Sequence, residues 1–407
     1  MRVIADLHIH SKFSRSTSQN MNLQEIERFA IMKGLSIIGT GDFTHPLWMK
    51  EIKTCLKPKS GTGLYAIKSE KKAKIKFIMT AEVSTFFEHS QKKRKVHHVI
   101  VSPSIEIAYQ ITDKLGKFGK LSADGRPILK ISGAELIEEI METSNDNMIF
   151  PAHIWTPWYG IFGSKSGFDM VEECYGDKYD KIFALETGLS SDPIMNWRIK
   201  ALDRFTLLSN SDSHSAYPWR LGREANVFDL RNVTYKEIID SIKKKDLQKF
   251  RFTIETNPSY GKYHWTGHRK CHISMSPKQA ILSENICPEC QHPMTLGVEQ
   301  RIEELAYRPA GYRPQKVQDF IYLLPLSEII SAVIGIKQLI HPSIWRLYNL
   351  LIEKFGNEYI VLLDATKEQL KKATNPLLAN AIIKVRNNQI KISPEYDGEY
   401  GKIENLV

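Results

Sequence analysis

Over the first 230 or so residues, short runs of β-branched and apolar side chains alternate with helical or irregular stretches, the texture of a mostly parallel α/β architecture. Strands are expected at residues 2–8, 35–40, 75–80, 96–102, 148–152, 182–185 and 206–209, seven in all. Residues 22–34 read as an amphipathic helix with Leu23, Ile26, Phe29 and Ala30 on one face and Gly34 closing it, and residues 134–143 as another. After Arg231 the pattern changes. A helix at 235–245 and a strand at 250–255 end the first unit, and Asn257-Pro258-Ser259-Tyr260-Gly261 has the composition of a linker. From Gln300 helical periodicity takes over, at 315–322, 326–334, 344–355, 358–364, 367–373 and 376–388, before a turn-rich tail at 396–401. The expected units are therefore an α/β domain at 1–263, a small cysteine- and histidine-rich module at 264–299 and a helical domain at 300–407.

Just past the carboxyl end of each expected strand stands a potential metal ligand: His8 and His10, Asp42, Glu82, His97 or His98, His153, Glu186, then Asp212 and His214. Functional side chains gather at the carboxyl ends of strands in barrels and open α/β sheets, so these positions are expected to converge on one rim. Alternation puts Asp6, His8 and His10 on one face of Asp6-Leu7-His8-Ile9-His10, and Asp212-Ser213-His214 repeats the spacing. It also sends His97 and His98 to opposite faces; His98 is taken as the ligand. Glu186 is read as a ligand, as a partner that orients a histidine, or as a strand cap. Imidazole with carboxylate suits zinc or manganese, with magnesium a further option, and the donors suffice for two or three ions with Glu82 as the bridging carboxylate. Such a cluster activates water for hydrolysis of a phosphate ester.

A second, closed site is expected at Cys287-Pro288-Glu289-Cys290, with His268 and Cys271 upstream at matching spacing, giving a Cys3His structural zinc. The fourth ligand is alternatively His264, His272 or His292.

Composition then narrows the partner. Fifty-six Lys and Arg stand against 46 Asp and Glu, a net charge of +10, which favours a polyanion such as nucleic acid. Residues 50–76 carry nine lysines against Glu51 and Glu70, and residues 91–95 add another basic run. Hydrophobic residues at 42% and charged residues at 25% exclude wholesale disorder, and no stretch offers about 20 uninterrupted apolar residues for a membrane span. The chain opens on the strand-like Arg2-Val3-Ile4-Ala5, without a basic-then-apolar leader, so a cytoplasmic location is expected. Few cysteines, three of them clustered, fit metal binding in a reducing compartment rather than disulfides.

Asp6-Leu7-His8-Ile9-His10, Thr40-Gly41-Asp42, Thr80-Ala81-Glu82, the His98 strand, Pro151-Ala152-His153 and Ser211-Asp212-Ser213-His214 resemble, in order, the motifs of the PHP (polymerase and histidinol phosphatase) family. The resemblance implies a distorted (β/α)7 PHP barrel, here with a zinc-binding module and a C-terminal helical domain. Further segments, among them Trp155-Thr156-Pro157-Trp158-Tyr159, Glu186-Thr187-Gly188-Leu189-Ser190-Ser191-Asp192-Pro193 and Leu221-Gly222-Arg223-Glu224-Ala225-Asn226, are similar to a DNA-repair branch of that family. That similarity implies a metal-dependent endonuclease cutting the phosphodiester 5′ to deoxyuridine, deoxyinosine, xanthine or abasic sites. His8, His10, Glu82, His153 and Asp212 would carry catalysis. By family pattern His8, His10, Glu82 and Asp212 hold one ion, Glu82, His98 and His153 a second, and Asp42 with His214 are left for a third. Where relatives carry another ligand after the first motif, this chain has Ser14-Arg15-Ser16, so Arg15 is assigned to phosphate instead.

An enzyme that inspects a base must unstack it, which nominates Trp155, Trp158 and Tyr159, with Arg198 beside them, for substrate binding. The expected partner is DNA with deaminated or abasic nucleotides, bound by a monomer whose helical domain supports binding, with no membrane; a sliding-clamp or other repair partner stays open. The alternatives are a small-molecule phosphoesterase of the histidinol phosphatase kind, or a nucleic-acid-binding PHP module that has lost catalysis.

Overall fold

The computed structural model describes residues 1–69, 74–394, 396–398 and 401–406. Part of the first basic run, residues 70–73, and part of the expected tail lie outside these residues.

The architecture is mixed α/β. In chain order the strands are β1 (Arg2–Asp6), β2 (Ile37–Gly39), β3 (Leu56–Lys59), β4 (Leu64–Ile67), β5 (Lys76–His89), β6 (Lys92–Ser102), β7 (Ile128–Leu129), β8 (Met148–Pro151), β9 (Ala184–Glu186), β10 (Thr206–Leu208), β11 (Ala225–Asp229), β12 (Phe250–Glu255), β13 (Thr266–His268), β14 (Ile273–Met275) and β15 (Asp319–Tyr322). All seven strands expected from the sequence are present as β1, β2, β5, β6, β8, β9 and β10. Helices form where the caps say they should. Asn22 accepts from the N–H of Glu25 to open Leu23–Lys33, and Gly34, at φ 95°, closes it. Ser132 and Glu135 cap Gly133–Met141 reciprocally.

The sheet departs from a parallel barrel in two ways. β1, β2 and β5 are parallel, but β5 and β6 form one long antiparallel hairpin, paired from Met79 opposite Ser102 to His89 opposite Lys92, and β8 joins β6 antiparallel. Ser90 and Gln91 at its tip both have positive φ, which reverses the chain within two residues and leaves no room for a crossover helix. Among the described residues the ladder also does not close into one ring, and β9 and β10 pair only with each other. Backbone bonds bridge the two gaps, among them those from the Ile154 N–H to the Glu186 carbonyl and from the His10 N–H to the Ser213 carbonyl, at 3.0 and 2.9 Å. On the other flank of β1, β11 and β12 follow antiparallel.

Residues 315–322, expected as a helix, instead contribute β15, which pairs parallel to β12. Phe320, Ile321 and Tyr322 are good strand formers, and an open sheet edge outweighs local periodicity there. The C-terminal part thus sends one strand into the α/β sheet; its remaining elements include the helices Leu326–Ile334, Pro342–Phe355, Lys367–Ala373 and Pro376–Arg386. It docks through a buried ion pair, Lys33 Nζ to Glu358 Oε1 at 2.7 Å, with Tyr348 donating to the other Glu358 oxygen. Tyr359 reaches across to donate to the Gly222 carbonyl. No helix among the described residues is long and apolar enough to cross a membrane.

Candidate metal centre

β1 ends at Asp6, and the chain runs on extended so that His8 and His10 enter the same interior as Asp212. Asp6 itself is a scaffold: it accepts from the Ser211 hydroxyl and N–H and from the Gly222 N–H. Burial raises its pKa to about 6 against those bonds. Asp42, His153 and Asp212 all have positive φ, at 46°, 30° and 47°. Left-handed backbone at three non-glycine residues is strain that turns side chains inward at strand ends, a common mark of functional sites. Gly188 makes this possible beside His153, because a Cβ there would lie 2.7 Å from the His153 Cβ.

Two donor groups result, and Glu82 belongs to both: His8, His10, Glu82 and Asp212 in one, and Glu82, His97 and His153 in the other, with the ligand atoms of each within 4.8 Å of one another. Glu82 Oε2 lies 3.2 Å from His10 Nε2 and 3.5 Å from His8 Nε2. Its Oε1 lies 2.8 Å from His97 Nδ1 and 3.2 Å from His153 Nε2. Asp212 Oδ1 stands 2.9 Å from His10 Nε2 and 3.6 Å from His8 Nε2.

On His8, His10 and His153 the other ring nitrogen is occupied. Glu186 lies 3.0 Å from His8 Nδ1, Asp42 3.0 Å from His10 Nδ1, and Thr156 Oγ1 2.9 Å from His153 Nδ1. Partners of this kind fix ring orientation and leave Nε2 free to ligate.

The charges are sharply polarised. Burial opposes charge on His8, but Glu186, Glu82 and Asp212 outweigh it and raise its pKa well above the usual imidazole range; Asp42, Asp212 and Glu82 do the same for His10. Burial likewise opposes ionisation of Glu82 and Asp212, yet the surrounding histidines, and Arg126 at Glu82, hold both below their ordinary values. His97 goes the other way, pushed down to about 3 by burial.

The donors fit a metal. His8 Nε2 is buried, has no hydrogen-bond partner and points between Glu82 and Asp212. An unsatisfied imidazole nitrogen facing two carboxylates is costly unless a cation sits among them.

Four sequence expectations are not brought into these groups. His98 lies on the other face of β6, with Nε2 3.0 Å from Thr85 Oγ1 and Nδ1 2.9 Å from Tyr175 Oη; His97 takes the place expected of it. The register decides this, since Glu82 pairs opposite Val99 and His97, two residues from Val99, shares their face. Asp42 is saturated by the Ser11 N–H, the Ser11 and Ser14 hydroxyls and His10. Glu186 holds the His8 ring and accepts from Asn210 and from the His153 N–H. His214 turns Nδ1 to the Asp212 carbonyl at 2.9 Å and packs against His10, with ring centroids 4.4 Å apart. No third group with Asp42 and His214 forms among the described residues.

The residues expected to meet substrate divide. Trp155 is buried and donates to Asn196, and Tyr159 stacks on His97. Arg198 forms a forked pair with Glu303, and Arg15 is exposed beside Asp124. Trp158 alone of the three aromatics is exposed, its edge against Tyr263. Sequence reasoning missed Arg126, whose Nη1 lies 3.2 Å from Glu82 Oε2. Its only signal was the Gly-Arg-Pro turn of residues 125–127. A cavity of about 520 Å³ opens beside the centre, lined by His153, Asp212, His214, Leu189, Arg220 and Tyr263 among others.

In the cysteine-rich module, β13 and the loops around Cys271 and Cys287 bring His268, Cys271, Cys287 and Cys290 into one group. His264, His272 and His292 are not in it. The Cys287 thiol is drawn down to about 6: burial opposes this, but the N–H groups of Cys290 and Glu289 together with His268 outweigh it.

Fold and site together define a mixed α/β metal-binding protein whose donors converge at strand ends. The chain aligns with the crystal structure of a lesion-specific endonuclease, endonuclease Q from Pyrococcus furiosus, with a TM-score of 0.87 and 34% identity over 99% of this chain and 95% of that one. It fits equally well, again with a TM-score of 0.87, to endonuclease Q in complex with a 27-mer duplex substrate that has an abasic lesion at the active site. The chain belongs to the endonuclease Q family. Residues 325–389 match the family model of the MJ0043 C-terminal domain. The protein MJ0043 of Methanocaldococcus jannaschii is 35% identical over 262 residues, which cover 61% of this chain and 31% of that protein. The chain therefore spans under a third of the length of that curated relative.

Proposed function

We propose that this protein is a metal-dependent endodeoxyribonuclease that hydrolyses the phosphodiester 5′ to deaminated bases (deoxyuridine, deoxyinosine or xanthine) or abasic sites in DNA. The observation that carries the reading is Glu82: a buried carboxylate whose two oxygens face two separate sets of imidazoles, beside an open cavity. Membership in the endonuclease Q family supports it, and so does the duplex carrying an abasic lesion bound by a relative that aligns over nearly the whole chain.

His8, His10, Glu82 and Asp212 would hold one divalent ion and Glu82, His97 and His153 a second, zinc or manganese by donor type. What such ions supply is Lewis acidity toward phosphoryl oxygens and a lowered pKa for bound water. The chain's own residues do the rest. Glu186, Asp42 and Thr156 lock the three imidazoles of His8, His10 and His153. Asp6 ties the Ser211–Asp212 turn to the end of β1. The cavity, within the roughly 300–1,000 Å³ typical of small-ligand pockets, gives an unstacked nucleotide a place against His153 and Asp212. His268, Cys271, Cys287 and Cys290 would hold a structural zinc closed to substrate.

End-labelled duplexes bearing one deoxyinosine, one deoxyuridine or one abasic site, an undamaged duplex and histidinol phosphate, each assayed with manganese, magnesium and zinc, test this reading. Cleavage on the 5′ side of the lesions alone is expected, with Asp212→Ala lowering the rate at least about 10³-fold while DNA binding persists. Turnover of histidinol phosphate with intact lesion duplexes would contradict it.

A further inference from the structure

We propose that Arg126 forms a phosphate subsite beside the metal centre, its guanidinium binding a non-bridging oxygen of the scissile phosphodiester. This rests on the hydrolase reading of the centre above.

The segment that carries Arg126 is built to hold one conformation. The Gly125 N–H donates to the Phe13 carbonyl, the Arg126 N–H to Asp124 Oδ1, and the Ser84 N–H of β5 to the Pro127 carbonyl, at 3.0, 3.1 and 2.9 Å. Pro127 fixes its own φ. A Cβ at position 125 would come within 2.3 Å of both Asp42 Oδ2 and Ser14 Oγ, so only glycine leaves the Asp42 network undisturbed. The loop is thus locked to the two segments that carry Glu82 and His10, and what it delivers is one guanidinium, 3.2 Å from Glu82 Oε2 and also within the field of Asp212.

Arg126 differs from every other charged group there in being unable to ligate a metal or to lose its proton. Its side chain is 25% exposed and that of Asp212 29%, whereas Glu82 is fully enclosed, so the guanidinium belongs to the open part of the centre. Without ions, the guanidinium faces two carboxylates, Glu82 and Asp212. One divalent ion among the six donors would cancel that pair of charges and two would reverse them, with the Glu82 oxygens engaged in ligation. Of the other carboxylates nearby, Asp124 is turned toward Arg15 and backbone N–H groups, and Asp42 is taken up by Ser11, Ser14 and His10. A loaded centre therefore leaves a fixed, partly exposed guanidinium whose free donors call for an anion from solution. A phosphodiester meets that need with the geometry guanidinium binds best.

The test uses the full chain loaded with manganese and three forms: wild type, Arg126→Gln and Arg126→Lys. Metal content by mass spectrometry and melting temperature show whether the centre is intact, and isothermal titration with inorganic phosphate reads the subsite. The Gln variant is expected to keep its metal, to bind phosphate at least about tenfold more weakly and to lose about 10²–10³-fold in kcat on lesion duplex, the scale seen when one preorganised donor is removed; the Lys variant should recover part of both. Unchanged phosphate affinity in a metal-replete Gln variant overturns the proposal. If that variant fails to load, the Lys variant decides on the same titration: a drop of about fivefold or more supports the subsite, and equality with wild type overturns it. A wild type that binds phosphate through Arg126 yet leaves lesion duplex intact would sink the lesion-nuclease reading and leave the subsite standing.

Discussion

Glu82 organises the centre because a carboxylate has two oxygens and this one is buried where each meets a different set of histidines. Its register against β6 makes a sharp prediction. His97→Ala should remove one ligand of the second group, lowering metal content and abolishing cleavage. His98→Ala should leave metal content unchanged and cost only packing and hydrogen bonds, about 1–3 kcal/mol in urea unfolding. Equal metal loss in both variants would refute the assignment. At this scale the sequence was informative where spacing alone sets the face: His8 with His10, and Asp212 at the end of β10. It failed at His97 and His98, because alternation says only that they face opposite ways, and the choice between them lies in a hairpin register that no local pattern encodes. Arg126 was invisible for a related reason. A lone arginine in a turn looks like any solvated cation until the fold sets it beside Glu82.

Among the elements, the β5–β6 hairpin does two jobs. Its base carries Glu82 and His97, and its tip carries exposed Lys92 and Lys93. Seven residues separate Glu82 from His89, so at about 3.3 Å each the tip stands roughly 23 Å from the centre, about seven base pairs along a duplex. Lys92→Glu with Lys93→Glu is expected to weaken binding of a lesion duplex with long flanks and to reduce the slope of log K against log salt by about 1 to 2, with kcat retained. An unchanged slope would remove the tip from the DNA path. This hairpin is also where the sheet leaves the mostly parallel order expected from the sequence. The apolar alternation of β5 and β6 was legible, but their antiparallel pairing depends on a two-residue turn at Ser90 and Gln91 that carries neither glycine nor an Asn-Gly signal. The helices of the C-terminal part were legible from periodicity and capping residues, except 315–322, where the edge of β12 recruits the segment as β15.

For the molecule as a whole, a buried acidic cluster behind the centre sets how stability responds to pH. Burial, with the Asp192 charge, raises the Glu255 carboxyl to about 8 even though Thr253 and Thr187 donate to it. Glu224 beside it is raised as well, by burial and by Glu255. A carboxyl whose folded pKa lies above its unfolded value of about 4.3 binds more protons when folded, so its contribution is complete below that value and is lost as pH rises toward 8. Wild type should therefore lose unfolding free energy across this window, and Glu255→Gln should remove about 1.4 kcal/mol per pH unit of that decline in urea titrations at pH 5, 6.5 and 8. Parallel pH profiles for the two proteins would show that Glu255 is ionised throughout.

The proposed chemistry requires cations gathered around Glu82. Crystals grown with manganese and measured at its absorption edge give the direct test. Anomalous peaks are predicted within ligand distance of Glu82, one shared with His8, His10 and Asp212 and one with His97 and His153. Peaks at His98 or Asp42, or none at Glu82, would contradict it.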